Sequence, residues 1–374
     1  MEMNFFMPAR IVTGKGCIVK NSDIFSEYGR KCLIVTGRKS AEKCGALRDV
    51  INALETVKIS YKHYNKIEQN PSYASCRQAA DEAISFGADF IVGIGGGSPL
   101  DAAKAVAVLA SDAGMNMESM YSGNWNKKPL PVIAVGTTAG TGSEVTSVSV
   151  ITDTSGYKRS FRSKYTYPAV SFGDPSYTMT LSDDITCSTA VDALCHCVES
   201  YFNRTSNEIC RSFALRGVKI LCEMLYKTSA GASKLTYEDR EKLYCASIYG
   251  GLAISVAGTA FPHAMGYFLT ERYGIPHGYA CGVYFESFIE YNVQESPEEA
   301  ESFFEQINIS PKELCGIVLK NMPDKTCGIS LAESEIKELV PRFENNKSLK
   351  KCYGNADKKF AEELLRRLFL KHLS

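Results

Sequence analysis

The chain has 374 residues, of which 45% are hydrophobic and 22% charged, and its formal net charge is zero. That length predicts two domains or more. The balanced charge, with no basic block, excludes an electrostatic claim on nucleic acid or an anionic membrane surface. No apolar run reaches the roughly eighteen residues of a membrane span. The start, Met1-Glu-Met-Asn-Phe-Phe-Met-Pro8, lacks the basic and apolar regions of a signal peptide, so a cytoplasmic protein is expected. Fourteen cysteines are present, but a chain this long needs no disulfide framework. Most of them sit singly in apolar segments (Cys32, Cys222, Cys245), as small buried thiols do.

The first half alternates. Lys31-Cys-Leu-Ile-Val-Thr36 reads as a strand, residues 41–54 as a helix and Val57-Lys-Ile-Ser-Tyr61 as a strand. A helix over 72–86 follows, then a strand over 89–94, a helix over 99–110 and a strand over 130–135. Strand and helix taking turns predict a parallel sheet wrapped by helices. Beyond about residue 181 the segments 186–202, 206–226, 237–257 and 279–293 carry helical spacing. An α/β domain over 1–180 and an all-α domain over 181–374 are therefore expected, closed by an amphipathic helix over 360–373.

Asp192 and His196 lie four apart in an apolar, Gly- and Pro-free stretch, so one helix face presents both. His263 and His277 each follow a proline, in Phe261-Pro-His-Ala-Met-Gly266 and Gly274-Ile-Pro-His-Gly278. Any one of these histidines could be a satisfied core residue. Together, three imidazoles and a carboxylate also suit zinc or iron(II). Cys195 and Cys197 flank His196 and could be thiolate ligands, but Cys197 points well away from the Asp192/His196 face and Cys195 is only borderline, so filler is the favoured role for both.

The turn Ile91-Val-Gly-Ile-Gly-Gly-Gly-Ser-Pro-Leu-Asp101 follows a buried strand. Ser98 suits an N-cap, Pro99 a first helical position and Asp101 a capping box. A helix start of this kind can cradle a pyrophosphate, although a tight turn with no ligand fits as well. It is not a phosphate-binding P-loop, since Lys104 lies inside the helix. The loop Gly136-Thr-Thr-Ala-Gly-Thr-Gly-Ser-Glu-Val-Thr146 offers hydroxyls after another buried strand, and an ordinary turn is the alternative there too.

Taken together, Gly95-Gly-Gly-Ser-Pro-Leu-Asp101, Thr137–Thr146, Asp192-Ala-Leu-Cys-His196, Pro262-His-Ala-Met-Gly266 and Ile275-Pro-His-Gly278 resemble the iron-containing (group III) alcohol dehydrogenases over nearly the whole chain. The resemblance implies an N-terminal Rossmann-like dinucleotide-binding domain, a helical metal domain, an active site between them and a homodimer. It implies that Asp192, His196, His263 and His277 bind the metal, Fe(II) with Zn(II) as the alternative. Gly96, Gly97 and Ser98 would then hold the pyrophosphate. Asp101, Thr137, Thr138 and Thr141 would line the cofactor, Ser147 and Lys158 would lie nearer its nicotinamide, and Asn70-Pro71 would sit beside the adenosine. Many relatives carry a second histidine four residues after the third ligand. Here that position is Tyr267, which could relay a proton or simply fill space, its ordinary pKa of about 10 favouring the latter.

The expected reaction is hydride transfer between a small primary alcohol or aldehyde and a nicotinamide, with the metal polarising the substrate oxygen. NADP is the expected cofactor, with NAD as the alternative. Where relatives that use NAD tend to carry Asp after the strand 32–36, this chain has Gly37, then Arg38, Lys39 and Ser40, which leave room and charge for a 2′-phosphate. A dehydroquinate synthase-like or glycerol dehydrogenase-like enzyme is the alternative in the same architecture. A nucleotide-binding protein without catalysis would not need four ligands. His63 and His372, the remaining histidines, are expected to be replaceable at little cost.

Overall fold

The computed structural model describes residues 3–123, 125–323, 328–354 and 356–370. The chain divides into two compact units, one formed by 6–181 with 236–251 and the other by the remainder. The first unit is discontinuous in sequence, taking the segment 236–251 from within the later half of the chain.

The first unit is built on β1 (Arg10–Thr13), β2 (Lys31–Gly37), β3 (Ser60–Ile67), β4 (Phe90–Gly95), β5 (Val132–Gly136) and β8 (Val170–Gly173), in the order β1-β8-β5-β4-β2-β3. Every neighbouring pair is parallel. A parallel strand covered on both faces reads as a continuous apolar run, and every residue of β4 and β5 is buried. From β2 the chain passes outward to β3 and then returns to lay β4 on the other side of β2, which makes the β2/β4 boundary the switch point of the sheet. Ligands of open α/β sheets sit at the carboxyl ends of the strands at such a point. Thr36 is in register with Ile94, and Gly95 with Gly136, so the loops after β2, β4 and β5 leave the same edge.

Several boundaries differ from the expectation for local reasons. The helix expected over 41–54 is two, Ser40–Lys43 and Ala46–Thr56, because Gly45 at φ 89° separates them. The strand expected at 57–61 begins at Ser60: Val57 closes the preceding helix and Lys58 adopts φ 58°, reversing the chain first. The helix Tyr73–Phe86 ends where expected, with Ser72 accepting from the Ser75 amide and Gly87 turning left-handed at φ 67°. β6 (Val148–Thr152) and β7 (Lys158–Arg162) form a separate antiparallel ribbon, outside the expected elements.

The second unit is helical. The Asp183–Tyr201 helix starts at Ser182, whose hydroxyl accepts from the Ile185 amide, and Asp183 and Asp184 complement the dipole in its first turn. Almost every residue from Thr186 to Tyr201 is buried, so this is a core helix with neighbours all round. It packs on Glu208–Thr228 and on the short helix His277–Gly282, which in turn packs on Phe261–Tyr273. The helix expected over 279–293 is two, His277–Gly282 and Phe285–Glu295. The C-terminal helix runs Lys358–Phe369 with Asp357 as its cap, and residues 371–373 of the expected span lie outside the described residues. Among the described residues no single helix is long and apolar enough to cross a membrane.

Candidate metal centre and dinucleotide turn

Three helices of the second unit bring the predicted donors together. Asp192 Oδ1 lies 3.9 Å from His196 Nε2 and 3.4 Å from His263 Nε2. The imidazole of His263 stacks on that of His196 at 4.5 Å between centroids and meets that of His277 edge-on at 5.2 Å. Glycine at 278 allows the approach: a Cβ there would fall 1.8 Å from the Ser188 carbonyl oxygen and 2.9 Å from Asp192 Cβ. Asp192, His196 and His263 are buried. Burial by itself would raise the Asp192 carboxyl; the surrounding His196, His263 and His277 outweigh it and hold it well below the usual carboxylate range.

A residue the sequence reading passed over completes the cluster. Glu199 Oε1 lies 2.5 Å from His263 Nδ1, while its Oε2 accepts from the Ala260 amide at 2.7 Å. Glu199 follows Asp192 by seven residues and His196 by three, which is the same helix face, and that spacing was the available signal. A carboxylate on Nδ1 places the ring proton there and leaves Nε2 as a donor of electron pairs.

Asp192 Oδ1 and His263 Nε2 are both buried without a hydrogen-bond partner. Unpaired polar atoms cost about 1–3 kcal/mol each in a protein interior. Two of them pointed at each other among imidazoles fit a site that a divalent cation satisfies. The sulfur of Cys281 joins the same neighbourhood: the donor atoms of Asp192, His263, His277 and Cys281 lie within 4.8 Å of one another. Tyr267 stacks on His277, rings 13° from parallel and 5.6 Å apart.

The glycine turn is built differently from the expectation. The helix is Gly97–Ser111 and its N-cap is Gly96, which makes no side-chain cap bond. Ser98 is therefore inside the helix, where its hydroxyl accepts from the Asn70 amide at 3.3 Å, and no capping box forms. The first amides of a fifteen-residue helix are thus left uncapped at the switch point of the sheet. A Cβ at Gly97 would stand 2.9 Å from Thr141 Cγ2, and one at Gly96 would stand 3.0 Å from Thr138, so both glycines pass close beneath the threonine loop. Thr137 extends the ladder beyond β5, its amide donating to the Gly95 carbonyl at 2.9 Å.

Asp101, expected to line the cofactor, has both carboxylate oxygens engaged inside the protein. Ser143 Oγ donates to Oδ1 at 2.7 Å and the Val150 amide to Oδ2 at 2.9 Å. Lys104 is fully buried, its ammonium donating to the Ser143 carbonyl and hydroxyl and to the Val148 carbonyl at 2.7–2.9 Å. Burial lowers its pKa to about 8, against the pull of Asp101 and Glu144. This cation, inside the helix as expected, ties the threonine loop and β6 to it. Gly37 ends β2, and Arg38, Lys39 and Ser40 behind it are exposed. Lys158 pairs with Thr152 in the β6–β7 ribbon, and the Ser147 carbonyl accepts from Thr166. His63 is bonded to Thr36 Oγ1 at 2.9 Å, and His372 lies outside the described residues.

A doubly wound parallel sheet with a glycine-led helix start, and a helical unit carrying an imidazole–carboxylate cluster, suit a protein that binds a dinucleotide and a divalent ion. Residues 8–175 match the family model for iron-containing alcohol dehydrogenases, and residues 186–362 match the model for the C-terminal part of the same family. Alcohol dehydrogenase 4 of Schizosaccharomyces pombe is 31% identical over 73% of this chain, which spans 65% of that protein's length. A 1,3-propanediol dehydrogenase of Citrobacter freundii is 32% identical over 80% of this chain and 76% of its own. The crystal structure of an iron-containing alcohol dehydrogenase from Thermotoga maritima has a TM-score of 0.89 at 34% identity, covering 98% of this chain and 99% of its own. The chain belongs to the iron-containing alcohol dehydrogenase family. These matches favour the alcohol dehydrogenase reading over the dehydroquinate synthase-like and glycerol dehydrogenase-like alternatives.

Proposed function

We propose that the protein interconverts small primary alcohols and aldehydes with NADP(H), using one divalent ion held by Asp192, His196, His263 and His277. The observation that carries this reading is the buried, unpartnered pair Asp192 Oδ1 and His263 Nε2 at 3.4 Å, with Glu199 holding the far side of the His263 ring. When bound, the ion supplies Lewis acidity to a substrate oxygen and the nicotinamide supplies or accepts the hydride. The chain's own part is positioning. Glu199 keeps the His263 proton on Nδ1, and Tyr267 fixes the plane of His277 by stacking. The Gly96–Ser98 helix start offers amides to a pyrophosphate, and Lys104 holds the threonine loop in place above it.

NADP is favoured because Gly37 presents no carboxylate to a 2′-phosphate, while Arg38 and Lys39 stand exposed beside it. Kinship supports iron(II), and the donor types admit zinc. The test is turnover of a short aldehyde with NADPH by chelator-stripped protein, before and after readdition of iron(II) or zinc. Turnover that depends on one of these ions is expected, and full turnover by protein shown to be metal-free would overturn the reading.

A further inference from the structure

Cys281 is a buried donor that the proposed ligand set leaves out. It follows His277 by four residues on the His277–Gly282 helix, so both side chains occupy one face. Its sulfur lies 3.9 Å from His277 Nε2 and 4.0 Å from Nδ1. The compact donor set, with all atoms within 4.8 Å of one another, is Asp192, His263, His277 and Cys281. Two atoms of that set, Asp192 Oδ1 and His263 Nε2, are among the buried polar atoms that lack a hydrogen-bond partner. Burial alone would make Cys281 an ordinary small hydrophobe. Cys195 and Cys197 are just as buried, and they flank His196 in sequence, yet neither belongs to the compact set. Position among the ligands, and not burial, distinguishes Cys281.

We propose that Cys281 binds the metal as a thiolate, in addition to the histidines and Asp192, and biases the centre toward zinc over iron(II). The inference rests on the reading that this cluster holds a divalent ion. Coordination replaces the S–H bond by a sulfur–metal bond and releases the proton to solvent, with no change of oxidation state. Thiolate is a soft ligand and favours zinc, whereas a site of imidazole and carboxylate alone serves either metal.

Cobalt(II) is the probe. Chelator-stripped protein loaded with one cobalt per chain should show visible ligand-field bands together with a near-ultraviolet sulfur-to-cobalt charge-transfer band. Cys281→Ser should lose the near-ultraviolet band and keep the visible bands, while Cys195→Ser keeps both. In zinc-against-iron(II) competition, Cys281→Ser should weaken the preference for zinc by tenfold or more. Visible bands without the charge-transfer band in the unmodified protein would overturn the role of Cys281 and leave the metal centre standing. So would a charge-transfer band that survives in Cys281→Ser. Failure of the unmodified protein to take up cobalt would overturn both readings. Zinc-edge X-ray absorption of the unmodified protein decides the matter without a variant: a sulfur scatterer at about 2.3 Å is expected, and a shell of nitrogen and oxygen alone contradicts it.

Discussion

Glu199 Oε1 and His263 Nδ1 stand 2.5 Å apart in a fully enclosed pair, and the other oxygen of Glu199 is held by the Ala260 amide. One carboxylate therefore sets both the orientation and the tautomer of an imidazole whose far nitrogen faces Asp192. Outer partners of this kind change metal affinity by about 10–100-fold when altered. Glu199→Gln should weaken metal binding by that factor, measured by competition with a chromophoric chelator, with dinucleotide affinity unchanged. Equal metal affinity in the variant would show that Glu199 only fills space.

The turn at Gly97 admits no side chain. A Cβ there already meets Thr141 Cγ2 at 2.9 Å, so valine would both displace the threonine loop and block approach of a pyrophosphate to the helix amides. Gly97→Val should raise the dinucleotide Kd tenfold or more, about 1.4 kcal/mol, while bound metal stays constant. Titration by fluorescence quenching together with metal analysis checks both halves.

Lys104 is a buried cation beside two acids, the part-buried Asp101 and the buried Glu144. Removing one partner of such a group leaves the others uncompensated, at about 3–5 kcal/mol. Lys104→Met should lower the thermal midpoint of unfolding by roughly 6 °C or more. An unchanged midpoint would mean that the hydrogen bonds from Ser143 and Val150 satisfy Asp101 without the lysine.

At Gly37 a Cβ would meet nothing closer than the Ile67 carbonyl oxygen at 3.5 Å, so an aspartate fits without displacing the backbone. Gly37→Asp places a carboxylate where a 2′-phosphate is expected and should swing preference toward NAD. The ratio of kcat/KM for NADPH over NADH with one aldehyde reads this directly. A ratio below one in the unmodified protein would contradict the NADP assignment.

What could be read from the sequence follows from how local each signal is. The runs at 91–94 and 132–135 announce buried parallel strands because both faces are covered, and the 237–257 helix is found at its expected bounds. The four-residue strands Arg10–Thr13 and Val170–Gly173 carry too little pattern of their own; their place comes from pairing with each other and with β5. Ser98 looked like a cap because caps are judged from composition, whereas the helix begins two residues earlier on glycine. Asp192 and His196 were legible through their i, i+4 spacing. Glu199 shares that face and was missed, since its partner His263 lies sixty-four residues away. Cys281 repeats the i, i+4 relation from His277, but a cysteine in an apolar segment reads as filler until the fold sets it beside a carboxylate and two imidazoles.

The central claim, a divalent ion held by Asp192 and the three histidines as the condition for turnover, is tested most directly on His263→Ala purified without oxygen. Metal per chain, NADPH binding and aldehyde turnover are measured on the same sample. One ion per chain is expected in the unmodified protein, and in the variant loss of the ion and of turnover with NADPH still bound. A His263→Ala protein that turns over at the unmodified rate would contradict it.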